Sequence, residues 1–127
     1  MERRGPDVAV AGRSVELDPS QEDQWKEARR RLAAGLAVPT VAELGLDPEL
    51  VHLLLRRGDL VRLSDALVFL PDQIEEIRRL LAKMPPDFTV ADFRDAAGLS
   101  LKYAVPILEW ADREGLTTRR GDTRNVR

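Results

Sequence analysis

One order of elements occurs twice in this chain, and that repeat leaves few folds open. Thr40-Val41-Ala42-Glu43 is a capping box that predicts a short helix over Val41–Leu44, and Thr89-Val90-Ala91-Asp92 echoes it. After the first box, Asp47-Pro48 starts a helix that runs to Arg57. Its apolar residues Leu50, Val51, Leu54 and Leu55 keep helical spacing, and Gly58 ends it. Leu60–Leu63 and Leu67–Leu70 then read as a hairpin around Ser64-Asp65. After the second box, Ser100 caps a helix that closes near Gly115. Leu116–Arg119 and Thr123–Val126 follow as a hairpin turned at Arg120-Gly121-Asp122. The eleven residues Leu60–Leu70 run parallel to Leu116–Val126 without a gap. Helix, helix, hairpin, taken twice, is the order of a winged helix-turn-helix.

Two longer helices complete the units. Asp18 caps the first and Pro19 fits its opening position, and it runs to about Ala34 with Trp25, Ala28, Leu32 and Leu36 on one face. Arg29, Arg30 and Arg31 sit at its end, where the helix dipole favours cations. Pro71-Asp72 opens the other, with Ile74, Ile77, Leu81 and Met84 inward and Pro85-Pro86 as the stop. That helix links the units and doubles as the first helix of the second. The fold class is therefore mainly α with small β-hairpins, two tandem winged helix-turn-helix modules at 18–70 and 71–127. Residues 1–17 lack periodicity and read as an irregular leader or the frayed end of a larger protein.

Catalytic chemistry is poorly supplied. Cysteine is absent, so disulfides and thiolate metal sites are excluded. The single histidine, His52, has no partner for a metal or a triad and reads as a helix-surface or half-buried imidazole. Neither G-x-x-x-x-G-K-[ST] nor G-x-G-x-x-G occurs, so no cofactor is expected in this chain. The sequence has no apolar run long enough for a membrane span and no signal peptide. We expect a cytoplasmic monomer that is not itself an enzyme.

The two hairpins differ where function would show. The first, LVRLSDALVFL, is apolar with one arginine and should be packed against something. The second carries Arg119, Arg120 and Arg124, with Arg127 beside it, against the single acid Asp122, in a chain whose net charge is −2. A basic ribbon on an acidic protein suggests an anionic partner held at one end, although a charged edge strand also resists aggregation. The preceding helix presents Leu101, Ala104, Val105, Leu108 and Ala111 as an inward stripe, Ile107 aside. Lys102, Pro106, Glu109 and Arg113 line its opposite face. Lys102 lies in the first turn, where free backbone amides favour an anion. Pro106 leaves the Lys102 carbonyl unbonded and should bend the helix. Tyr103 flanks the same turn, placed either to stack on an unpaired base or to pack on the hairpin. Trp110 reads as core or wing packing.

The stretch TVADFRDAAGLSLKYAVPILEWADREGLTTRRGDTRNVR resembles the C-terminal end of the bacterial selenocysteine-specific elongation factor family, SelB. The family pattern there is close to T-V-A-x-F-R-D, then S-R-K-Y-A-L-P-L-L-E, then D-R-x-G-x-T-R-R-x-G-D-x-R. Leu46-Asp47-Pro48-Glu49-Leu50 and the first hairpin match its preceding winged helix, so the resemblance covers about residues 17–127. It implies an N-terminal GTPase, with GTP and magnesium, outside this chain, followed by four winged helices. The last of these binds the mRNA hairpin that recodes UGA as selenocysteine. The ribosome and selenocysteyl-tRNA are then partners through the parent factor. By position, Lys102, Tyr103 and Pro106 take the place of the family's lysine, tyrosine and proline. Arg119 takes that of the second wing arginine, Gly121, Asp122 and Arg124 that of G-D-x-R, and Arg94 and Asp95 that of F-R-D. Leu101 and Thr118 stand where arginines are usual, and Arg120 stands where an apolar residue is usual. The RNA-binding residues implied are Arg94, Lys102, Tyr103, Arg119, Arg120, Gly121, Arg124 and Arg127.

Four phosphate contacts would give a salt slope of roughly −3 to −4. Two rivals differ in class. A DNA-binding regulator would need a recognition helix basic along its length, which Glu109, Asp112 and Glu114 oppose. A protein-interaction module fits the net charge and the apolar first wing.

Overall fold

The computed structural model describes residues 16–127. Two proline-opened helices set the frame, α1 (Pro19–Leu32) and α4 (Pro71–Ala82). Between them lie α2 (Val41–Leu44), α3 (Pro48–Arg57) and the strands β1 (Val61–Arg62) and β2 (Val68–Phe69). After α4 come β3 (Phe88–Thr89), α5 (Val90–Ala97), α6 (Leu101–Arg113), β4 (Thr117–Arg120) and β5 (Thr123–Val126). The helix starts are local chemistry. Asp18 accepts the Gln21 N–H at 2.8 Å while the Gln21 side chain accepts the Asp18 N–H at 3.0 Å. Thr40 with Glu43 and Thr89 with Asp92 make the same reciprocal bonds. Ser100 sits at the N-cap of α6, but its side chain caps nothing.

The repeat holds in order and departs in register. The expected boundaries shrink, since α1 stops at Leu32, α4 at Ala82, and the first hairpin keeps only two residues per strand. In the first wing Arg62 pairs with Val68 around a loop, whereas in the second Arg120 pairs with Thr123 across Gly121-Asp122 alone. Arg120 therefore belongs to β4 and not to the turn. Gly121 has φ +60, the positive angle a two-residue hairpin asks of its first central residue. The two hairpin segments match in sequence length but not in strand length or pairing.

The second wing also gains a third strand. Phe88 and Thr89 pair antiparallel with Arg124 and Thr123, giving the order β3-β5-β4. In the first repeat the equivalent position is Pro39, which has no N–H to give, and contact with the hairpin falls to Val41 N–H on the Ala66 carbonyl at 2.8 Å.

One buried cluster runs through both repeats, from Trp25, Leu32 and Val38 through Leu54, Leu63, Phe69 and Ile77 to Phe93, Ile107 and Trp110. The first wing is packed, as its composition implies, with Leu63, Leu67, Val68 and Phe69 all buried. Four hydrogen bonds across the repeats, made by three side chains, have the same polarity. The Gln73 amide donates to the carbonyls of Leu32 at 2.6 Å and Gly35 at 3.1 Å. Arg113 donates to the Leu63 carbonyl at 2.6 Å. The Tyr103 hydroxyl donates to the Val38 carbonyl at 2.9 Å. Each time a side chain of the second repeat meets a backbone oxygen of the first.

Candidate nucleic-acid interface

The open end of α6 is where an anion could be met. The first amides of a helix lack a partner in the preceding turn, and here the Ser100 side chain leaves those of Leu101 and Lys102 unfilled. Lys102 is exposed in that turn, its ammonium 5.4 Å from the centre of the Tyr103 ring. α6 continues through Pro106 to Arg113 as one helix.

Its faces correct the sequence expectation. Ala104, Ile107, Leu108, Trp110 and Ala111 are buried, so Ile107 belongs to the inward stripe and Trp110 to the core. Leu101 and Val105 are 49% and 38% exposed and lie outside it. Apolar residues nearly surround this helix, and only its packing partners decide which of them are covered.

On the wing the arginines separate. Strand alternation puts Arg119 on the face shared with Thr117, toward α6, and Arg120 on the opposite face. Both are exposed, and Arg119 Nε donates to the Gly121 carbonyl at 2.9 Å, bracing the turn. Arg127 is exposed at the hairpin's other end, where its N–H pairs with the Leu116 carbonyl at 3.0 Å beside Arg78 of α4. It is not part of the tip. Arg94 pairs with its neighbour Asp95 at 3.0 Å, so the F-R-D element neutralises itself.

Two of the expected RNA-binding residues are instead committed to the fold. Arg124 is only 3% exposed. Its Nε lies 3.2 Å from both Asp112 oxygens, and its Nη2 donates to Oδ2 at 3.0 Å. The Thr117 hydroxyl donates to the same carboxylate at 2.6 Å. Burial pushes the Asp112 carboxyl up, but hydrogen bonds from Arg124 and Thr117 and the charges of Arg124 and Arg119 outweigh it, holding the group below its usual range. An acid in the last turn of a helix opposes the dipole, and Arg124 is what makes it tolerable. Tyr103 is half-buried against the core, and its hydroxyl donates to the Val38 carbonyl.

Beside Tyr103 an open cleft of about 740 Å³ is lined by Arg30, Arg31, Val38, Pro39 and Glu43 of the first repeat. Sequence patterning had no means of finding it, because it exists only where the two repeats meet. Among the described residues no cluster of acids or histidine could hold a metal, and no helix is long and apolar enough to cross a membrane.

Comparison with known proteins adds to this geometry. Residues 79–126 match the family described as elongation factor SelB, winged helix. The selenocysteine-specific elongation factor of Desulfomicrobium baculatum is 32% identical over 105 residues, covering 74% of this chain and 17% of that protein. Its counterpart in Escherichia coli (strain K12) is 33% identical over 92 residues, 67% of this chain and 15% of that protein. The chain thus spans less than a fifth of the length of these curated relatives. A crystal structure of the bacterial selenocysteine-specific elongation factor EF-Sec shares the fold, with a TM-score of 0.73 at 24% identity over 88% of this chain and 20% of that one. The mRNA-binding domain of elongation factor SelB from E. coli, solved in complex with SECIS RNA, aligns at a TM-score of 0.66 and 27% identity. That match covers 87% of this chain and 99% of that domain.

Proposed function

We propose, from the match of residues 79–126 to the SelB winged helix, that this chain is the RNA-binding end of a selenocysteine-specific elongation factor. Its ligand in this reading is the mRNA stem-loop that directs UGA to be decoded as selenocysteine. The observation that carries the proposal is the match over nearly the whole of a domain solved with its RNA. The surface supports it, since the exposed cations near the open end of α6 and the wing tip are Lys102, Arg119 and Arg120. A-form RNA hides its base edges in a deep groove, so a protein that reads it clamps phosphates around a looped-out base. An open helix end and a two-faced basic tip fit such a clamp.

The chain in this reading is a binding module with no chemistry and no cofactor of its own. GTP and magnesium belong to a GTPase domain of the parent factor, which also meets selenocysteyl-tRNA and the ribosome in the cytoplasm. Titrating labelled stem-loop RNAs and a DNA duplex of equal length at two salt concentrations tests the proposal. Loop-dependent RNA binding that is lost in Lys102→Ala and Arg120→Ala is expected. Equal or tighter binding of the duplex would overturn it in favour of a DNA-binding regulator, and binding of neither in favour of a protein-interaction module.

A further inference from the structure

The first repeat reaches the turn of α6 that carries Lys102, and does so from several directions. Tyr103 Oη donates to the Val38 carbonyl at 2.9 Å, bridging positions 65 residues apart in sequence. The face of the same ring lies under the Lys102 ammonium, at 5.4 Å. Glu43 of the first repeat lines the cleft beside Tyr103. Its carboxyl lies below the usual range, chiefly through hydrogen bonds to Thr40, with the charges of Lys102 and Arg31 adding to the effect. Arg31 in turn donates to the Glu43 carbonyl at 3.2 Å, tying α1 to this corner.

We propose that the first module orients the RNA-binding helix, and that Tyr103 is the positioning residue through which it does so, its hydroxyl anchored on Val38 and its ring carrying the Lys102 ammonium. This rests on the RNA-binding reading above and deepens it, because it assigns the first module a part in recognition without placing it on the RNA. Two observations separate this role from base stacking. The hydroxyl is already spent on a partner, and one face of the ring is already occupied by a cation. The anchor is a backbone oxygen, so the ring is fixed by the position of the chain at Val38 and not by that residue's side chain. A lysine held over an aromatic face loses less rotamer freedom on meeting a phosphate than one free in solvent, so the arrangement contributes affinity through preorganisation.

The test uses the full chain with a labelled stem-loop RNA, comparing wild type with Tyr103→Phe, Tyr103→Leu, Lys102→Ala and the Tyr103→Phe/Lys102→Ala pair. Tyr103→Phe keeps the ring and removes only the anchor. Its affinity should fall about threefold to tenfold, the range of one hydrogen bond, with the salt slope unchanged. Lys102→Ala should cost less in the Tyr103→Phe background than in wild type. Unchanged affinity in Tyr103→Phe, with or without a lower melting temperature, would overturn the proposal. So would full affinity in Tyr103→Phe joined to its loss in Tyr103→Leu, which would mean that the ring stacks on a base. Strictly additive losses would overturn it too. A second readout needs no RNA. In the free protein the Lys102 methylene protons should show ring-current shifts in wild type that shrink in Tyr103→Phe. If wild type binds no stem-loop while these shifts behave as expected, the RNA reading fails and the positioning stands. If the shifts are equal in both proteins, the positioning fails whatever the RNA does.

Discussion

Arg124 is the residue on which sequence and structure disagree most usefully, because its pattern marks it for RNA and its surroundings mark it for the fold. Arg124→Met keeps much of the side-chain volume and leaves the Asp112 carboxylate facing the Thr117 hydroxyl alone. Removing one partner of a buried ion pair costs about 3 to 5 kcal/mol. Here Arg124 is 3% exposed but the Asp112 side chain keeps 24% of its surface, so water can re-solvate the acid and about 2 to 3 kcal/mol is the better figure. For a chain of this size that lowers the melting temperature by roughly 10 °C, readable by circular dichroism. Replacing both partners, Arg124→Met with Asp112→Leu, should recover all but about 1 kcal/mol, the remainder being the Thr117 hydroxyl left unpaired. The pH dependence has a definite sign. Asp112 is held below its ordinary carboxylate value when folded, so the pair stabilises fully above that ordinary value and its contribution is lost as pH falls toward the lower folded one. Below about pH 4 the wild type should therefore lose its advantage over Arg124→Met. RNA affinity of the folded variant should stay within about twofold of wild type. An unchanged melting temperature together with lost RNA affinity would refute the reasoning and return Arg124 to the interface.

The remaining tests probe the surface and the junction. With Arg124 tied to Asp112, three cations remain near the RNA face, and the slope of log affinity against log salt should be about −2 to −3, measured by fluorescence anisotropy. A slope of −4 or steeper would show that buried or distant arginines take part. Leu101 is 49% exposed in the first turn of α6, so Leu101→Arg should change stability by no more than about 0.5 kcal/mol while steepening the slope by about one. An unchanged slope would mean that this turn does not meet phosphate. Gln73→Leu leaves the carbonyls of Leu32 and Gly35 and the Leu70 N–H without their partner, and urea unfolding should show a loss of about 2 to 3 kcal/mol at constant m. A loss under 0.5 kcal/mol would mean that water replaces the amide there.

What could be read from sequence was whatever the chain decides within a few residues. Thr40 with Glu43, Thr89 with Asp92 and Asp18 with Gln21 each close a ring of hydrogen bonds over three positions, and the helices start where those letters stand. What could not be read was decided by a distant partner. Phe88 and Thr89 form a strand only because β5 lies beside them, and two residues carry no alternation to betray it. Leu101 and Val105 share the i, i+4 spacing of core residues, and only the place where the core ends leaves them outside. Tyr103 is held by a carbonyl, which every residue supplies and no pattern reports. The wings make the same point about charge. Arg124 of the second wing is buried, as Val68 of the first is, so one of the four arginines counted as interface charge is a core residue with a counter-ion. A second, Arg127, sits at the wrong end of the ribbon. In the RNA-binding reading proposed above, the positive field is thus carried by Arg119 and Arg120 on opposite faces of the tip and by Lys102 at the helix end. In that reading the clamp is defined by where three cations are held and not by how many the wing contains.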